Sequence, residues 1–320
     1  MTITVAQLRT FQAVENAGSI KGAAEQLVVT QPSVSGAITA LERELGVKIV
    51  ERRGRGVGLS AAGLAFAPFA VRILGLLEEG RVAALEAADP EHPRLKIAAV
   101  NTAGEYVVPP ILRAFRRDHP RVDLYLEVSN RAGVFRRVEL HQADLGIGGS
   151  PPESGELEGV PFLDNELVVI ASSDHLLARR RALSFADLEG ATWLLRENGS
   201  GTRTFTQNLL QEKDIRPSIM TIGSNVAIKQ SVRAGLGVGL LPRQAVLLEL
   251  TMGLVRELDL QEELPLRRWY ALCPKNSPRR PVVEAFLQFL MGAAARQAVT
   301  ESLVATPQTG RVSDPSPAGR

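Results

Sequence analysis

The feature that most constrains this chain is the spacing of helix punctuation in its first 46 residues. Leu8, Phe11, Val14 and Ala17 recur at three-residue steps and make one apolar helix face, ended by Gly18. Ser19 is a good N-cap for a second, short helix with Ile20, Ala23, Ala24 and Leu27 on its apolar side. Only Val28 and Val29 separate that helix from Thr30, which caps a third with Pro32 in its first turn, where a missing N–H costs nothing. Val34, Ile38, Leu41 and Leu45 lie inside the third helix and Gly46 closes it. Two helices joined by so tight a turn form a helix-turn-helix in outline, and Ala23 and Ala24 are small where the helices must cross closely.

The start of the third helix carries short polar side chains, which suit approach to phosphates and base edges at a positive dipole end. The segment from Lys48 to Ser60 then reads as a small β-wing with arginines on a glycine-loosened tip, where guanidinium groups can reach a DNA backbone. The candidate nucleic-acid contacts are therefore Ser19, Lys21, Thr30, Gln31, Pro32, Ser33, Ser35 and Thr39, with Arg52, Arg53 and Arg55 on the wing. The alternative is a plain three-helix packing module with solvated arginines.

The length of 320 residues suits two or three domains, and the 45% hydrophobic content can bury a real core. The formal charge is only +2, so any nucleic-acid surface must be local. Cys273 is the one cysteine, which excludes an intrachain disulfide and a cysteine-based zinc site. His92, His119, His141 and His175 show no two-ligand spacing, and no metal or cofactor is expected. MTITVAQLRTF has no signal-peptide pattern, and no uncharged apolar run reaches membrane-spanning length, so a cytoplasmic address without membrane contact is expected.

From Ser60, Leu64, Ala67, Phe69, Val71, Ile73, Leu74, Leu76, Leu77, Val82 and Leu85 populate more than one face of a single helix reaching residue 88, about 42 Å long at 1.5 Å per residue. It is too apolar to stand alone in water. Pairing with another copy is the expected use, packing on its own domain the alternative. Beyond the Asp89–Pro93 hinge, strand and helix patterns alternate: strands at 95–100, 122–128 and 144–149, helices at 104–118 and 131–141. This βαβαβ pattern implies a parallel sheet with right-handed crossovers. Strands at 166–172, 193–196, 218–223 and 238–242 repeat the theme, giving two lobes with a cleft between them; strand 268–274 and helix 281–291 are read as returning to the first lobe. The domain limits expected are 1–59, 60–93 and 94–295, with lobe one at 94–163 and 269–295 and lobe two at 164–268. Residues 296–320 are polar and rich in Pro, Gly and Ser toward the end, and are expected to be disordered.

Two loops lie where strands meet helix N-termini. One holds Asn101 and Thr102; the other, Arg196–Arg203, holds Ser200, Thr202 and Arg203. Each offers hydroxyl and amide donors plus free backbone N–H groups, and ligands of open α/β sheets bind outside the strand carboxyl ends. A small anion held by Thr102 on one side and Ser200, Thr202 and Arg203 on the other would bridge the cleft. Asn130, Gly148, Gly149, Ser224 and Asn225 occupy comparable strand-end positions. The Gly-Ser-Gly-Thr run lacks the ending and spacing of a phosphate-binding Walker loop. Gly235–Gly239 precedes a strand instead of opening a helix and reads as a tight turn, and Arg179–Arg181 reads as a solvated loop.

These residues resemble the LysR-type transcriptional regulators over roughly residues 1–292. The Thr-Gln-Pro-Ser-x-Ser core stands at Thr30–Ser35, the Leu-Glu-x-x-Leu-Gly closure at Leu41–Gly46, the apolar pair before Glu-Arg at Ile49–Arg52, and the Leu-Ser-x-x-Gly start of a linker helix at Leu59–Gly63. The resemblance implies an α/β protein with an N-terminal winged helix-turn-helix, a long dimerising linker helix and a two-lobed effector domain resembling periplasmic binding proteins. It implies a homodimer or homotetramer that binds dyad-symmetric double-stranded promoter DNA, responds to a small-molecule effector and works with RNA polymerase. The GSGTR form resembles members linked to carbon, sulfur or nitrogen assimilation. The family often carries longer basic or amide side chains after Ser35, where this chain has Gly36, Ala37 and Thr39. A bidentate arginine–guanine contact is not available there, and base reading would rest on Gln31, Ser33, Thr39 and DNA shape. An enzyme or anion carrier is the competing function, but no nucleophile–base pair, metal set or carboxylate pair supports it. A pure oligomeric scaffold is the other.

Overall fold

The computed structural model describes residues 2–304 except 54, 55, 90, 91, 154 and 276. The chain opens with α1 (Val5–Ala17), α2 (Ile20–Leu27) and α3 (Gln31–Leu45), followed by the antiparallel wing strands β1 (Val50–Arg53) and β2 (Gly56–Leu59). Thr4 and Gln7 form a reciprocal capping box at the start of α1. Ser19 accepts from Gly22 N at 3.0 Å to cap α2, and Thr30 caps α3. Gly18 and Gly46 close α1 and α3 in the left-handed region, at φ 61° and 72°. Val28 does the same for α2 at φ 56°, a conformation a β-branched residue rarely adopts. Leu8, Phe11, Val14, Ala23, Val34, Ile38, Leu41, Ile49 and Leu59 form one buried core with Ala67 and Ala70 of the next helix.

That helix, α4 (Ala61–Ala88), is capped by Ser60. It is long and apolar enough to cross a membrane by length and composition alone, yet Arg72 in its first half pairs with Glu156 and its first turns belong to the N-terminal core. Expected as a rod whose apolar surface awaits another copy, α4 is also docked on its own effector domain. A Cβ on Gly75 would lie 2.0 Å from the Leu140 carbonyl oxygen, so the helix comes that close only because the side chain is missing. Glu79 meets His141 Nδ1 at 2.7 Å, and the buried Arg280 joins Glu86 of α4 to Asp144. Leu64, Phe69, Ile73, Leu76, Leu77 and Leu85 stay exposed on the helix.

Lobe one runs β3 (Arg94–Val100), a π-helical turn (Ala103–Val107), α5 (Val108–Asp118), β4 (Asp123–Ser129), α6 (Arg131–Glu139), β5 (Leu145–Gly148) and β6 (Leu157–Asn165). Lobe two follows with β7 (Leu167–Ser172), β8 (Trp193–Leu195), α7 (Gly201–Glu212), β9 (Ile219–Thr221), α8 (Asn225–Arg233), β10 (Gly239–Pro242), α9 (Arg243–Thr251) and β11 (Val255–Glu257). The chain then re-enters lobe one with β12 (Arg267–Pro274), α10 (Pro281–Met291) and α11 (Ala293–Val304).

The lobe-one sheet has the order β4-β3-β5-β12-β6. β3, β4 and β5 are parallel as expected, but β12 is antiparallel to both β5 and β6, so the sheet is mixed. Lobe two departs further: β8 and β9 are parallel, but β7 pairs antiparallel with β10 and β11. The helix expected at 104–118 begins as the π turn, which widens the backbone beside the cleft. The tail expected to be disordered from residue 296 is helical through Val304. Ala295 and Val299, four apart on α11, are buried in the lobe-one core, and that burial outweighs the polar composition. Residues 305–320 lie outside the described residues.

Candidate nucleic-acid interface and effector cleft

The helix-turn-helix presents Thr30, Gln31, Pro32, Ser33, Ser35 and Thr39 exposed around the N-terminal half of α3. The Thr30 and Ser33 hydroxyls share a hydrogen bond of 2.8 Å, which fixes both at the helix tip. A Cβ on Gly36 would meet nothing within 4 Å, so that stretch of helix surface is bare. Ser19 is half-buried in its capping role, and Lys21 is exposed with a loose 3.9 Å contact to Glu25. On the wing the two described arginines differ. Arg52 is exposed with no ion pair or hydrogen bond among the described residues. Arg53 folds back: its Nε meets Glu51 and its Nη2 donates to the Leu59 carbonyl, each at 3.3 Å, across Gly58. Arg55 lies outside the described residues.

A pocket between the lobes is lined by Val100, Asn101, Thr102, Asn130, Arg131, Gly149, Arg196, Ser200, Gly201, Thr202, Arg267 and Trp269. Local sequence explains the donors. Asn130 caps α6 through a 2.9 Å bond to Gly133 N, Ser200 caps α7, and Asn101 and Thr102 stand between β3 and the π turn. Of the residues singled out from sequence, Asn101, Thr102, Asn130, Gly149, Ser200 and Thr202 are brought together here.

Four are not on the pocket wall. Gly148 is inside the sheet, where its Cα faces Val100 and Leu272. Ser224 is occupied as the cap of α8, accepting from Ala227 N at 3.1 Å. Arg203 turns away to satisfy the Arg196 carbonyl at 2.7 Å, where the short β8 ladder has run out, and the Thr221 hydroxyl at 3.0 Å. Asn225 sits behind the wall, fully buried: its Nδ2 donates to Thr102 Oγ1 at 2.8 Å and its Oδ1 accepts from Arg196. Beside it Lys229 Nζ of lobe two meets Tyr106 Oη of lobe one at 3.2 Å and Glu249 at 2.7 Å. Burial alone would lower the Lys229 pKa, but the Glu249 and Tyr106 contacts outweigh it and hold it above the usual lysine value.

Sequence reading missed Arg131, Arg196, Arg267 and Trp269. Arg196 is buried, paired with Glu197 through two contacts at 2.8 and 2.9 Å, and accepted by Asn101 at 3.0 Å in the amide orientation that satisfies both of that side chain's polar atoms. Arg131 lies over the Phe135 ring at 4.3 Å and Arg267 over Phe205 at 5.3 Å. Burial, helped by the Arg131 charge, pushes the Arg267 pKa down to about 10, and burial lowers that of Arg131 as well. The free cavity between these walls is small, about 30 Å³, little more than one water molecule. Buried Cys273 is far from such chemistry: burial pushes its thiol up to about 11, keeping it protonated.

Two family models match. Residues 5–64 match the bacterial regulatory helix-turn-helix protein of the lysR family, and residues 88–295 match the LysR substrate binding domain. The RuBisCO operon transcriptional regulator of Allochromatium vinosum is 35% identical over 298 residues, covering 92% of this chain and 98% of that protein. The transcriptional activator CmpR of Synechocystis is 33% identical over 90% of this chain and 94% of its own length. Among solved structures, the regulatory domain of Synechocystis CcmR in complex with 2-PG superposes with a TM-score of 0.59 at 34% identity, over 62% of this chain and 95% of that one. The full-length regulator CbnR, at 22% identity, shares the fold with a TM-score of 0.68. These relatives are regulators and not enzymes. With one family accounting for the reading head and the ligand domain alike, this chain belongs to the LysR-type transcriptional regulators.

Proposed function

We propose that this regulator binds dyad-symmetric promoter DNA as a homodimer or homotetramer, and that a small anion in the cleft between its lobes changes how it does so. The observation that carries the reading is the cleft itself: donors from both lobes converge on one pocket that carries arginines and is tied shut by Thr102–Asn225. The CcmR domain, 34% identical, holds 2-PG in its own structure, which supports a small organic anion here.

On DNA, the polar tip of α3 enters the major groove and the wing meets the backbone, with the two tips of a dimer about 34 Å apart or a multiple of it. The exposed apolar side chains of α4 supply a surface for the second copy, together with the effector domains. The protein needs no cofactor, works in the cytoplasm, and passes its output to RNA polymerase. Ligand acts on DNA only if it favours one oligomer geometry over another. Cleft closure would shift lobe contacts between subunits, the spacing of the paired heads, and so the DNA bend.

The test is footprinting and bend measurement on the intergenic duplex beside the gene for this chain, with and without a panel of small anionic metabolites. Protection of two half-sites with a metabolite-dependent bend is expected. The same footprint and bend with every metabolite would defeat the proposal.

A further inference from the structure

One helix spans the distance between the cleft and the linker. α6 starts at the pocket: Asn130, its cap, and Arg131, its first residue, both line it. It ends on α4. The carbonyl oxygen of Leu140, its C-cap, lies where a Cβ on Gly75 would have to go, and the next residue, His141, brings Nδ1 to 2.7 Å from Glu79. The nine residues of α6 separate the two ends by about 13 Å at 1.5 Å per residue.

His141 is costly where it stands. Its φ is 55°, in the left-handed region that a residue with a Cβ seldom enters. Its side chain is 3% exposed and meets a carboxylate that is itself only 22% exposed. The turn that carries it is bonded back to α6, since the Arg137 carbonyl accepts from the N–H groups of Gln142 at 2.8 Å and Ala143 at 3.3 Å. The same turn is tied to the sheet and to α4: Asp144 accepts from Lys96 N at 2.7 Å and pairs with Arg280, which also pairs with Glu86, two turns beyond Glu79.

We propose that α6 is the strut that carries the state of the cleft to the linker helix, and that His141 is the residue that positions its far end on α4. This rests on the cleft being the effector site. The body of α6 is held by Val134, Phe135 and Val138, buried with Ala98 and Leu272 of the sheet, and such apolar contacts have no direction. Its ends are fixed by geometry. A group seated at Asn130 and Arg131 acts on the first turn, and Gly75 leaves the last turn no slack, because backbone meets backbone there. A lengthwise shift of α6 is therefore passed to α4 or breaks the Glu79–His141 contact. From this seam α4 is one helix into the core of the DNA-binding head. Coupling of this kind is reciprocal, so DNA bound by the head acts on the cleft end of α6 in turn.

The test is amide hydrogen exchange of the full chain, free and bound to the intergenic duplex used for footprinting. The reporters are Gly133 and Val134, whose N–H groups both bond to Asn130 at the cleft end. Duplex binding should change their exchange by about fivefold or more in the wild-type chain. In His141→Asn the duplex should still bind and that change should be lost; Asn suits the left-handed turn, so the variant keeps the backbone and loses the imidazole. Glu79→Gln, which leaves the ring a hydrogen-bonding partner, should retain part of the change. Any anion of the metabolite panel that raises the unfolding midpoint of the wild-type chain should raise that of His141→Asn equally, while the anion-dependent bend disappears. A full-size exchange response in both variants, or none in the wild-type chain, would overturn the strut. Loss of anion stabilisation in His141→Asn would overturn it as well, since the residue would then shape the cleft instead of relaying it. If no anion stabilises the wild-type chain, yet the DNA-linked response is present there and lost in His141→Asn, the strut stands and the cleft falls as the effector site.

Discussion

Asn225 Nδ2 donates to Thr102 Oγ1 at 2.8 Å, so the head of α8 in lobe two is bonded directly to the loop that precedes the π turn in lobe one. Both side chains are buried, and the other end of Asn225 is held by Arg196. Asn225→Ala leaves two buried groups without partners and should cost about 1–3 kcal/mol in denaturant unfolding. Amide exchange at residues 101–104 should rise with it. Unchanged stability and exchange would show that the lobes are held by other contacts.

The wing arginines should separate functionally. Arg52 is free to meet phosphate, whereas Arg53 is drawn back to Glu51 and Leu59. Arg52→Glu should weaken DNA binding on every sequence and flatten the salt dependence by about one released counterion. Arg53→Glu should do so less. Fluorescence anisotropy across a salt series decides; equal losses would return Arg53 to the interface.

Val28 carries a β-branched side chain at φ 56°, exposed, in the turn between α2 and α3. The left-handed conformation costs an L-residue about 1–2 kcal/mol, and glycine there gives back about 0.5–1 kcal/mol in backbone entropy. Val28→Gly should therefore stabilise the N-terminal domain by about 0.5–1 kcal/mol. A lower unfolding midpoint would show that Val28 contributes something the turn geometry does not reveal.

Glu42 is a buried carboxylate on α3. Burial alone would raise its pKa, but hydrogen bonds from Lys48 and from the Ile49 and Val50 N–H groups outweigh that and hold it below the ordinary glutamate value of 4.5. A depressed folded-state pKa contributes stability that is present above pH 4.5 and lost as pH falls through the folded value. Glu42→Gln should lower stability at neutral pH and flatten the acid limb of the midpoint-versus-pH curve. An acid limb identical in both proteins would rule Glu42 out as its source.

Gly75 is where α4 touches lobe one. A methyl group there would collide with backbone, 2.0 Å from the Leu140 oxygen, and cannot be relieved by a side-chain rotation. Gly75→Ala should cost about 1–3 kcal/mol. DNA affinity should be retained while the anion-dependent bend is lost, since the helix that joins the two domains no longer sits on lobe one. A variant with a normal anion-dependent bend would place the transmission elsewhere.

What was legible from sequence follows from range. Caps and apolar steps act within one turn of helix, so Ser19, Thr30 and Ser60 read correctly as helix starts. Strand β6 was missed because Gly159 and Pro161 break its alternation; the fold tolerates them because β6 is an edge strand with a register shift opposite Tyr270. The hydroxyl and amide half of the cleft was visible because each donor belongs to a recognisable loop. The cationic half was not. Arg131 and Arg267 meet only because the chain leaves lobe one after Asn165 and returns at Arg267, and no local pattern records that return. Arg203 misled for the opposite reason: its place in a GSGTR run suggests a ligand, but an unpaired carbonyl lay nearer.

The near absence of room inside the cleft has a kinetic consequence. With space for little more than water between its walls, a metabolite fits only after the lobes or the lining side chains have moved. Occupancy would then turn over at the pace of that motion and not of diffusion, so a promoter controlled by this chain would register the sustained level of its signal and smooth over brief surges.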